Sequence, residues 1–250
     1  MAGRPGGLVN RRSTSGNQIL RLLPRGALEA VTPWLEEVEL RRGECLFEPG
    51  DDVTHAYFPL NGTVASLVLP MRDGRAVEAA TIGREGAIGG IISQGNKPAF
   101  ARAVVQIPGS AIRISVPRLE TAKRNAPRLH DMLVRYSDCL IAQVLQSVGC
   151  AMVHPLEARC ARWLLMAHDR LQQPEIPLTQ EALAEMFGVA RTYMTRIASA
   201  LQRRGAISYR RGIVHIERRK ILEDASCECY GAVRGHFNRV VPGLYPKVEP

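Results

Sequence analysis

The stretch LTQEALAEMFGVARTYMTRIASALQRRGAI, residues 178–207, contains two short amphipathic segments on either side of a lone glycine, Gly188. Thr179 is a suitable N-cap for the first segment, and Gly188 can adopt the positive φ with which many helices end. Apolar residues then recur at helical spacing in the second segment, at Met194, Ile197 and Leu201. Two such short helices at this spacing are typical of a helix-turn-helix, whose second helix enters the major groove of DNA.

The residues that follow this motif extend the prediction to a winged helix. The stretch AISYRRGIVHI, residues 206–216, has two β-prone segments around a tight turn, and it predicts a hairpin with basic residues at its tip. The residues that we expect at the DNA are Thr179, Gln180, Arg191, Thr192, Tyr193, Thr195, Arg196, Arg210 and Arg211. A small helical subdomain with a basic surface is the alternative interpretation.

The placement of positive charge favours a polyanionic partner for this region. The chain of 250 residues has a formal net charge of +9, and residues 178–220 hold nine lysines and arginines against three glutamates. A positive cluster of this density attracts nucleic acid, because binding releases the counterions condensed on the phosphates. A solvated basic face is the alternative that charge alone leaves open.

The first half of the chain has strand-like rather than helical patterning. Between Val38 and Ser115, short apolar runs such as TVASLVLP, RAVVQIPG and AIRISVP are separated by the turn sequences EPGDD, LNG and RDG. This alternation predicts an antiparallel β-domain of sandwich or barrel type. Carboxylates such as Glu48 and Glu85 are interpreted as turn and rim residues of that domain.

From Pro127 the periodicity becomes helical, and two apolar stripes run along one long helix. The first stripe has the alternating spacing of a coiled-coil seam, and we predict a dimer seam at Leu129, Leu133, Tyr136 and Leu140. The second stripe consists of Val134, Ile141, Val144, Leu145 and Val148. One face would then cover the β-domain and the other a second copy of the chain. An ordinary core helix in a monomer is the alternative.

This order of parts resembles the Crp/Fnr superfamily of bacterial transcription regulators, from about Ile19 to Leu222. The resemblance is carried by LFEPGDDVTHAYFPLNGTVASLV, by NAPRLHDMLVRYSDCLIAQVLQ and by the winged helix. It implies an α+β fold with an antiparallel β-roll sensor domain, a long dimerisation helix and a C-terminal winged helix-turn-helix domain. The expected divisions are a disordered tail (1–16), the β-roll (17–126), the dimerisation helix and hinge (127–153), the DNA-binding domain (154–222) and a C-terminal tail (223–250).

The same resemblance implies a homodimer on a two-fold symmetric site in double-stranded DNA, with RNA polymerase as a further partner. A small-molecule effector or chemical signal felt in the β-roll would reorient the winged helices. Arg191 and Arg196 stand where family members place base-reading arginines. Thr192 stands where many members have a glutamate, and this departure puts the operator sequence in doubt.

The sensory side departs further from the family pattern. Cyclic-nucleotide binders of the family hold the phosphate with a glycine–glutamate pair followed by an arginine–serine pair. Here Gly89 and Gly90 lack the glutamate, and Pro98, Ala99 and Phe100 replace the arginine and serine. Arg102 could reach inward, although an exposed strand position is the favoured interpretation. We therefore place an effector pocket at Gly89, Gly90, Phe100 and Arg102 and expect its ligand not to be a cyclic nucleotide.

Other functional classes find little support. The chain lacks G-x-S-x-G, P-loop and H-E-x-x-H motifs, so we expect no enzyme, and it lacks a long apolar run or signal peptide, which favours the cytoplasm. The six cysteines are interpreted mainly as buried free thiols. Cys227 and Cys229 could form a redox or metal site, but two thiols are weak evidence, so we predict neither metal nor cofactor. The rival function is a ligand-sensing module that signals through a protein partner docked on the winged helix.

Overall fold

The alternating apolar residues of the first half form the strands of a β-roll. The computed structural model describes residues 14–90 and 96–245. The strands are β1 (Glu36–Leu40), β2 (Cys45–Phe47), β3 (His55–Pro59), β4 (Val64–Pro70), β5 (Ala76–Ile82), β6 (Arg102–Ile107) and β7 (Gly109–Ser115). They pair antiparallel in two sheets of order β1-β7-β3 and β2-β6-β4-β5. The predicted α+β fold class is confirmed.

Four helices pack against the three-stranded sheet and build the main core with it. They are α1 (Gln18–Leu22), α2 (Arg25–Val31), α3 (Val116–Asn125) and the long helix α4 (Pro127–Val153). Phe58 of β3 and Ile112 of β7 are fully buried among apolar side chains from these helices. Residues 1–13 of the predicted disordered tail lie outside the described residues, whereas Thr14 is buried.

The dimer seam predicted on α4 is wrong. Leu129, Leu133 and Tyr136 are buried in the core of their own protomer, and Leu140 is half-buried between two apolar clusters. These side chains meet the sheet and α3, so a second copy cannot reach them. The second stripe is the exposed one: Val134, Ile141, Leu145 and Val148 have exposed fractions between 37% and 67%.

The second half of the chain folds into a smaller domain with its own core. Its elements are α5 (Leu156–Leu171), β8 (Glu175–Ile176), α6 (Gln180–Phe187), α7 (Arg191–Arg203), β9 (Ile207–Arg210), β10 (Ile213–Ile216) and α8 (Arg219–Ala225). The strands form a sheet of order β8-β10-β9. The buried side chains of Trp163, Leu183, Met194 and Leu201 lie in one apolar cluster, which ties the three main helices together.

The segment predicted as a C-terminal tail is folded over residues 223–245. It continues from α8 into α9 (Cys229–Val240), which packs along α4. Phe237 and Tyr245 are buried in the main core, with their rings edge to face at 5.5 Å. In the described ranges, no helix has both the length and the apolar character that crossing a membrane requires.

A buried ion pair joins the two halves of the chain. Arg170 of α5 and Glu85, in the turn after β5, are fully buried with N···O contacts of 2.8 Å, so interpreting Glu85 as a rim residue is wrong. The guanidinium also donates to the Thr81 carbonyl at 3.0 Å and to the Gln143 side chain of α4 at 3.4 Å. Burial alone would lower the pKa of Arg170, but the charge of Glu85 raises it, so the pair is ionised.

Removing one charge of this pair leaves the other buried without a partner. We expect Glu85→Gln to lower the free energy of unfolding by about 3–5 kcal/mol, measured by urea denaturation. Asp224→Asn is the control, because it removes the exposed partner of Lys220 and should change stability by less than about 1 kcal/mol. Similar losses in the two variants would contradict a central role for the buried pair.

Candidate nucleic-acid interface

The first helix of the motif and its turn are fixed by the residues that the sequence singled out. The Thr179 side chain accepts a hydrogen bond from the Ala182 amide at 3.2 Å and so caps α6. Gly188 has φ 65° and ψ 35°, a left-handed conformation that costs a residue with a Cβ more than it costs glycine. The chain therefore turns sharply within three residues before α7 begins.

The second helix, α7, presents one apolar and one polar face. Met194, Ile197, Ala198 and Leu201 are buried against the domain core. The exposed residues at its N-terminal end are Arg191, Thr192, Tyr193, Thr195 and Arg196. Because the buried face fixes the rotation of the helix, these five side chains form a continuous solvent-facing surface over its first two turns.

Two of the predicted contact residues have partners within the protein. The Thr195 hydroxyl lies 2.7 Å from Gln180 Oε1, and this contact links the two helices of the motif. Arg42, in the turn after β1, donates to the Thr179 hydroxyl at 3.3 Å, and so connects the β-roll to the cap of α6. Sequence reasoning missed Arg42, because a lone arginine in a turn carries no local signal.

The predicted wing is a two-residue hairpin between β9 and β10. Arg211 and Gly212 both have positive φ, at 49° and 80°, as in the primed turns that suit the twist of a hairpin. Arg210 and Arg211 are exposed at the tip. The paired strands therefore hold these two side chains in solvent, away from the core of the domain.

The arginines of this surface differ from the other basic residues of the region. Arg191, Arg196, Arg210 and Arg211 form no ion pair with any residue in the described part of the chain. By contrast, acidic partners neutralise Arg204 (Glu157, 3.0 Å), Arg219 (Asp169, 2.8 Å) and Lys220 (Asp224, 2.9 Å). The uncompensated charge is thus concentrated on the start of α7 and the wing tip.

The predicted effector pocket is not formed by the residues assigned to it. Phe100 is 87% exposed, and Arg102 is ion-paired to Glu48 at 2.8 Å. Gly89 and Gly90 are closely packed, since a Cβ on either residue would lie 2.6 Å from a neighbouring atom. Arg102 instead lines a cavity of about 340 Å³ between the β-roll and α6, together with Arg42, Thr179 and Glu181.

Comparisons with known proteins agree with this architecture. The family model of the Crp-like helix-turn-helix domain matches residues 158–225. The global nitrogen regulator of Nostoc sp. (strain PCC 7120 / SAG 25.82 / UTEX 2576) is 25% identical over 205 residues, which cover 78% of this chain and 90% of that protein.

Solved structures show the same fold. FixK2 from Bradyrhizobium japonicum has a TM-score of 0.63 at 16% identity, covering 77% of this chain and 98% of its own. A CRP-family transcriptional regulator from Thermus thermophilus has a TM-score of 0.60 at 18% identity, covering 76% of this chain and 96% of its own. With its Crp-like helix-turn-helix, this fold and that sequence relative, the chain belongs to the Crp/Fnr family of transcription regulators.

Proposed function

We propose that the protein regulates transcription as a homodimer that binds a palindromic operator in double-stranded DNA. The observation that carries the proposal is the set of four exposed arginines without ion pairs, within the described residues, at the start of α7 and on the wing tip. Arg191 and Arg196 lie near the N-terminal end of a helix whose other face is buried, where a recognition helix meets base edges. Each guanidinium can donate two hydrogen bonds to one guanine.

The exposed stripe of α4 supports the homodimer. Ile141, Leu145, Val148 and Met152 recur at alternating spacings of four and three residues, and their exposed fractions lie between 56% and 81%. An apolar stripe of this length on a rigid helix is typical of an interaction face, and the repeat fits a parallel copy of the same helix. Two-fold pairing along α4 places two winged helices on one side of the dimer.

The signal that controls this regulator is unidentified. The contact of Arg42 with Thr179 and the cavity beside it offer a direct route from the β-roll to the first helix of the motif. A change in the β-roll that moves Arg42 would move α6, and α7 with it. On this proposal the protein acts at the chromosome in the cytoplasm, with RNA polymerase as its further partner.

Base-reading and backbone-contacting arginines should respond differently to substitution. We expect Arg191→Ala and Arg196→Ala each to weaken specific binding by roughly 1–3 kcal/mol with a much smaller loss on random DNA. Arg210→Ala and Arg211→Ala should weaken all sequences alike and flatten the salt dependence by about one unit per phosphate contact. Selection from a random library, followed by titration at several salt concentrations, measures both effects.

The control for this experiment is Arg204→Ala, since Arg204 is paired with Glu157 and lies outside the surface. We expect the selected site to be an inverted repeat with half-sites about one helical turn, ~34 Å, apart. An asymmetric site, or equal losses on specific and random DNA at Arg191 and Arg196, would contradict base recognition. Binding to a protein partner with little salt dependence would favour the docking alternative.

Charged side chains on the exposed stripe should dissociate the dimer. Ile141 and Leu145 are exposed in the protomer, so Ile141→Glu with Leu145→Glu leaves its core intact while placing like charges face to face. We expect sedimentation to give the monomer mass for this variant and the dimer mass for the parent. Arg128→Glu, elsewhere on the surface of α4, should remain dimeric. A dimeric double variant would show that another surface holds the copies together.

Cyclic AMP and cyclic GMP should not act as effectors. The position of the expected phosphate-binding arginine is taken by Phe100, which points to solvent, and Arg102 is already paired with Glu48. A phosphate brought there would lack a counter-charge, at a cost on the order of several kcal/mol. Calorimetry should detect no submillimolar binding, and operator affinity should not change. Submillimolar binding accompanied by tighter operator binding would refute this.

A further inference from the structure

Four side chains of metal-ligating type meet where the long helix ends, outside the surface assigned to DNA. Cys150 lies in the last turn of α4, His154 caps that helix, and Cys227 and Cys229 lie at the start of the C-terminal segment. One ligand atom from each residue lies within 4.8 Å of all the others. We call these four residues the hinge cluster, because they join the C-terminal segment to the hinge between α4 and α5.

The distances within the hinge cluster fit the edges of a tetrahedral zinc site. With Zn–S bonds of about 2.3 Å and Zn–N bonds of about 2.0–2.1 Å, two sulfurs lie about 3.8 Å apart, and a sulfur and a nitrogen about 3.5 Å. The Sγ atoms of Cys150 and Cys227 are 3.5 Å apart, and Cys229 Sγ lies 3.6 Å from His154 Nδ1. Two opposite edges of a tetrahedron are therefore in place.

The groups around the hinge cluster are those that orient metal ligands. Nε2 of His154 lies 3.1 Å from a carboxylate oxygen of Glu228, so its proton is held there and Nδ1 faces the thiols with a lone pair. Gln146 Nε2 donates to Cys229 Sγ at 3.0 Å, an interaction that stabilises a thiolate. A carboxylate–histidine pair aimed at three sulfurs is the arrangement in which outer groups orient the ligands of zinc sites.

Arg162 of α5 supplies an independent indication of negative charge at this place. Its side chain is buried, it forms no ion pair in the described part of the chain, and its Nε there lacks a hydrogen-bond partner. Burial raises the pKa of the Cys150 thiol, while the charge of Arg162 lowers it, so the guanidinium acts on this sulfur. Three neutral thiols leave that charge unbalanced, whereas Zn²⁺ with three thiolates carries one net negative charge.

We propose that the hinge cluster binds one thiophilic divalent cation, Zn²⁺, through Cys150, Cys227 and Cys229 Sγ and His154 Nδ1. Metal–sulfur bonds replace the three S–H bonds, and the protons pass to solvent. Four protein ligands fill the tetrahedral shell, so the site is structural and has no open position for a substrate. A disulfide between Cys150 and Cys227 would need an oxidant, and it would use neither the imidazole nor Arg162.

Zinc at this place fastens the C-terminal segment to the junction of the dimerisation helix and the winged helix. Cys150 moves with α4, whereas Cys227 and Cys229 follow directly after α8 of the DNA-binding domain. A rigid link between them fixes the angle between the two parts. This consequence for DNA rests on the proposed function, whereas zinc binding itself does not.

Metal analysis of the full chain, purified under reducing conditions, tests the site directly. We expect one zinc per chain, and Co²⁺ in its place should give the intense visible bands of tetrahedral cobalt with thiolate-to-cobalt charge transfer in the near ultraviolet. Cys150→Ser, Cys227→Ser and Cys229→Ser should each lose both signals. Cys45→Ser is the matched control, since Cys45 is an exposed thiol outside the cluster and its variant should keep one zinc.

A variant on the surface keeps the test valid if the cysteine variants fail to fold. The Glu228 side chain is 79% exposed, so Glu228→Gln should preserve the fold and weaken zinc affinity by about 10–100-fold, measured by competition with a chromophoric chelator. Zinc far below one per chain, a cobalt spectrum without charge transfer, iron with acid-labile sulfide, or unchanged affinity in Glu228→Gln would each overturn the assignment.

Operator affinity, measured in the same preparations, separates this inference from the proposed function. Chelator-treated protein should bind the selected operator more weakly than zinc-loaded protein and recover when Zn²⁺ is restored. Stoichiometric zinc with unchanged operator affinity would refute the rigid link but not the site. If the parent binds no DNA at all, the proposed function fails, and the zinc stoichiometry still decides the metal site.

Discussion

The relative position of the two domains depends on the charge of Arg170. Its guanidinium is fully buried, and it meets Glu85 and the Thr81 carbonyl of the β-roll and Gln143 of α4. An arginine removed from water needs both a counter-charge and partners for its donors, and here every partner outside α5 belongs to another part of the chain. The buried charge is therefore satisfied only when the β-roll, the long helix and α5 are assembled together.

The long helix α4 divides its two apolar faces between different tasks. Leu129, Leu133 and Tyr136 complete the protomer core, while Ile141 and Leu145 remain on the surface. Because a helix is rigid over this length, a protomer core and a contact face on opposite sides are held in fixed register. Its last turn then carries Cys150 into the hinge, so the same element meets the core, the exposed stripe and the hinge cluster.

Charge is sorted by location as well as by amount. Buried or acid-paired arginines, such as Arg170 and Arg219, organise the interior, and exposed arginines without acidic partners among the described residues lie on α7 and the wing. A surface that keeps its charge uncompensated presents a strong field to a polyanion, whereas paired charges present little. The net charge of residues 178–220 therefore overstates the number of basic side chains free to act, but it locates them correctly.

The sequence by itself determined the elements whose signals are local: the capped helices around Gly188, the hairpin with Arg210 and Arg211, and the alternation of the strands. Those features depend on residues within a few positions of each other, so spacing and turn chemistry suffice to predict them. Only the tertiary structure decided which stripe of α4 is buried, that Glu85 pairs with Arg170 across 85 positions, and that Cys150 meets Cys227 across 77. Such partners are chosen by packing over the whole chain, and no local pattern encodes the contact between residues so far apart.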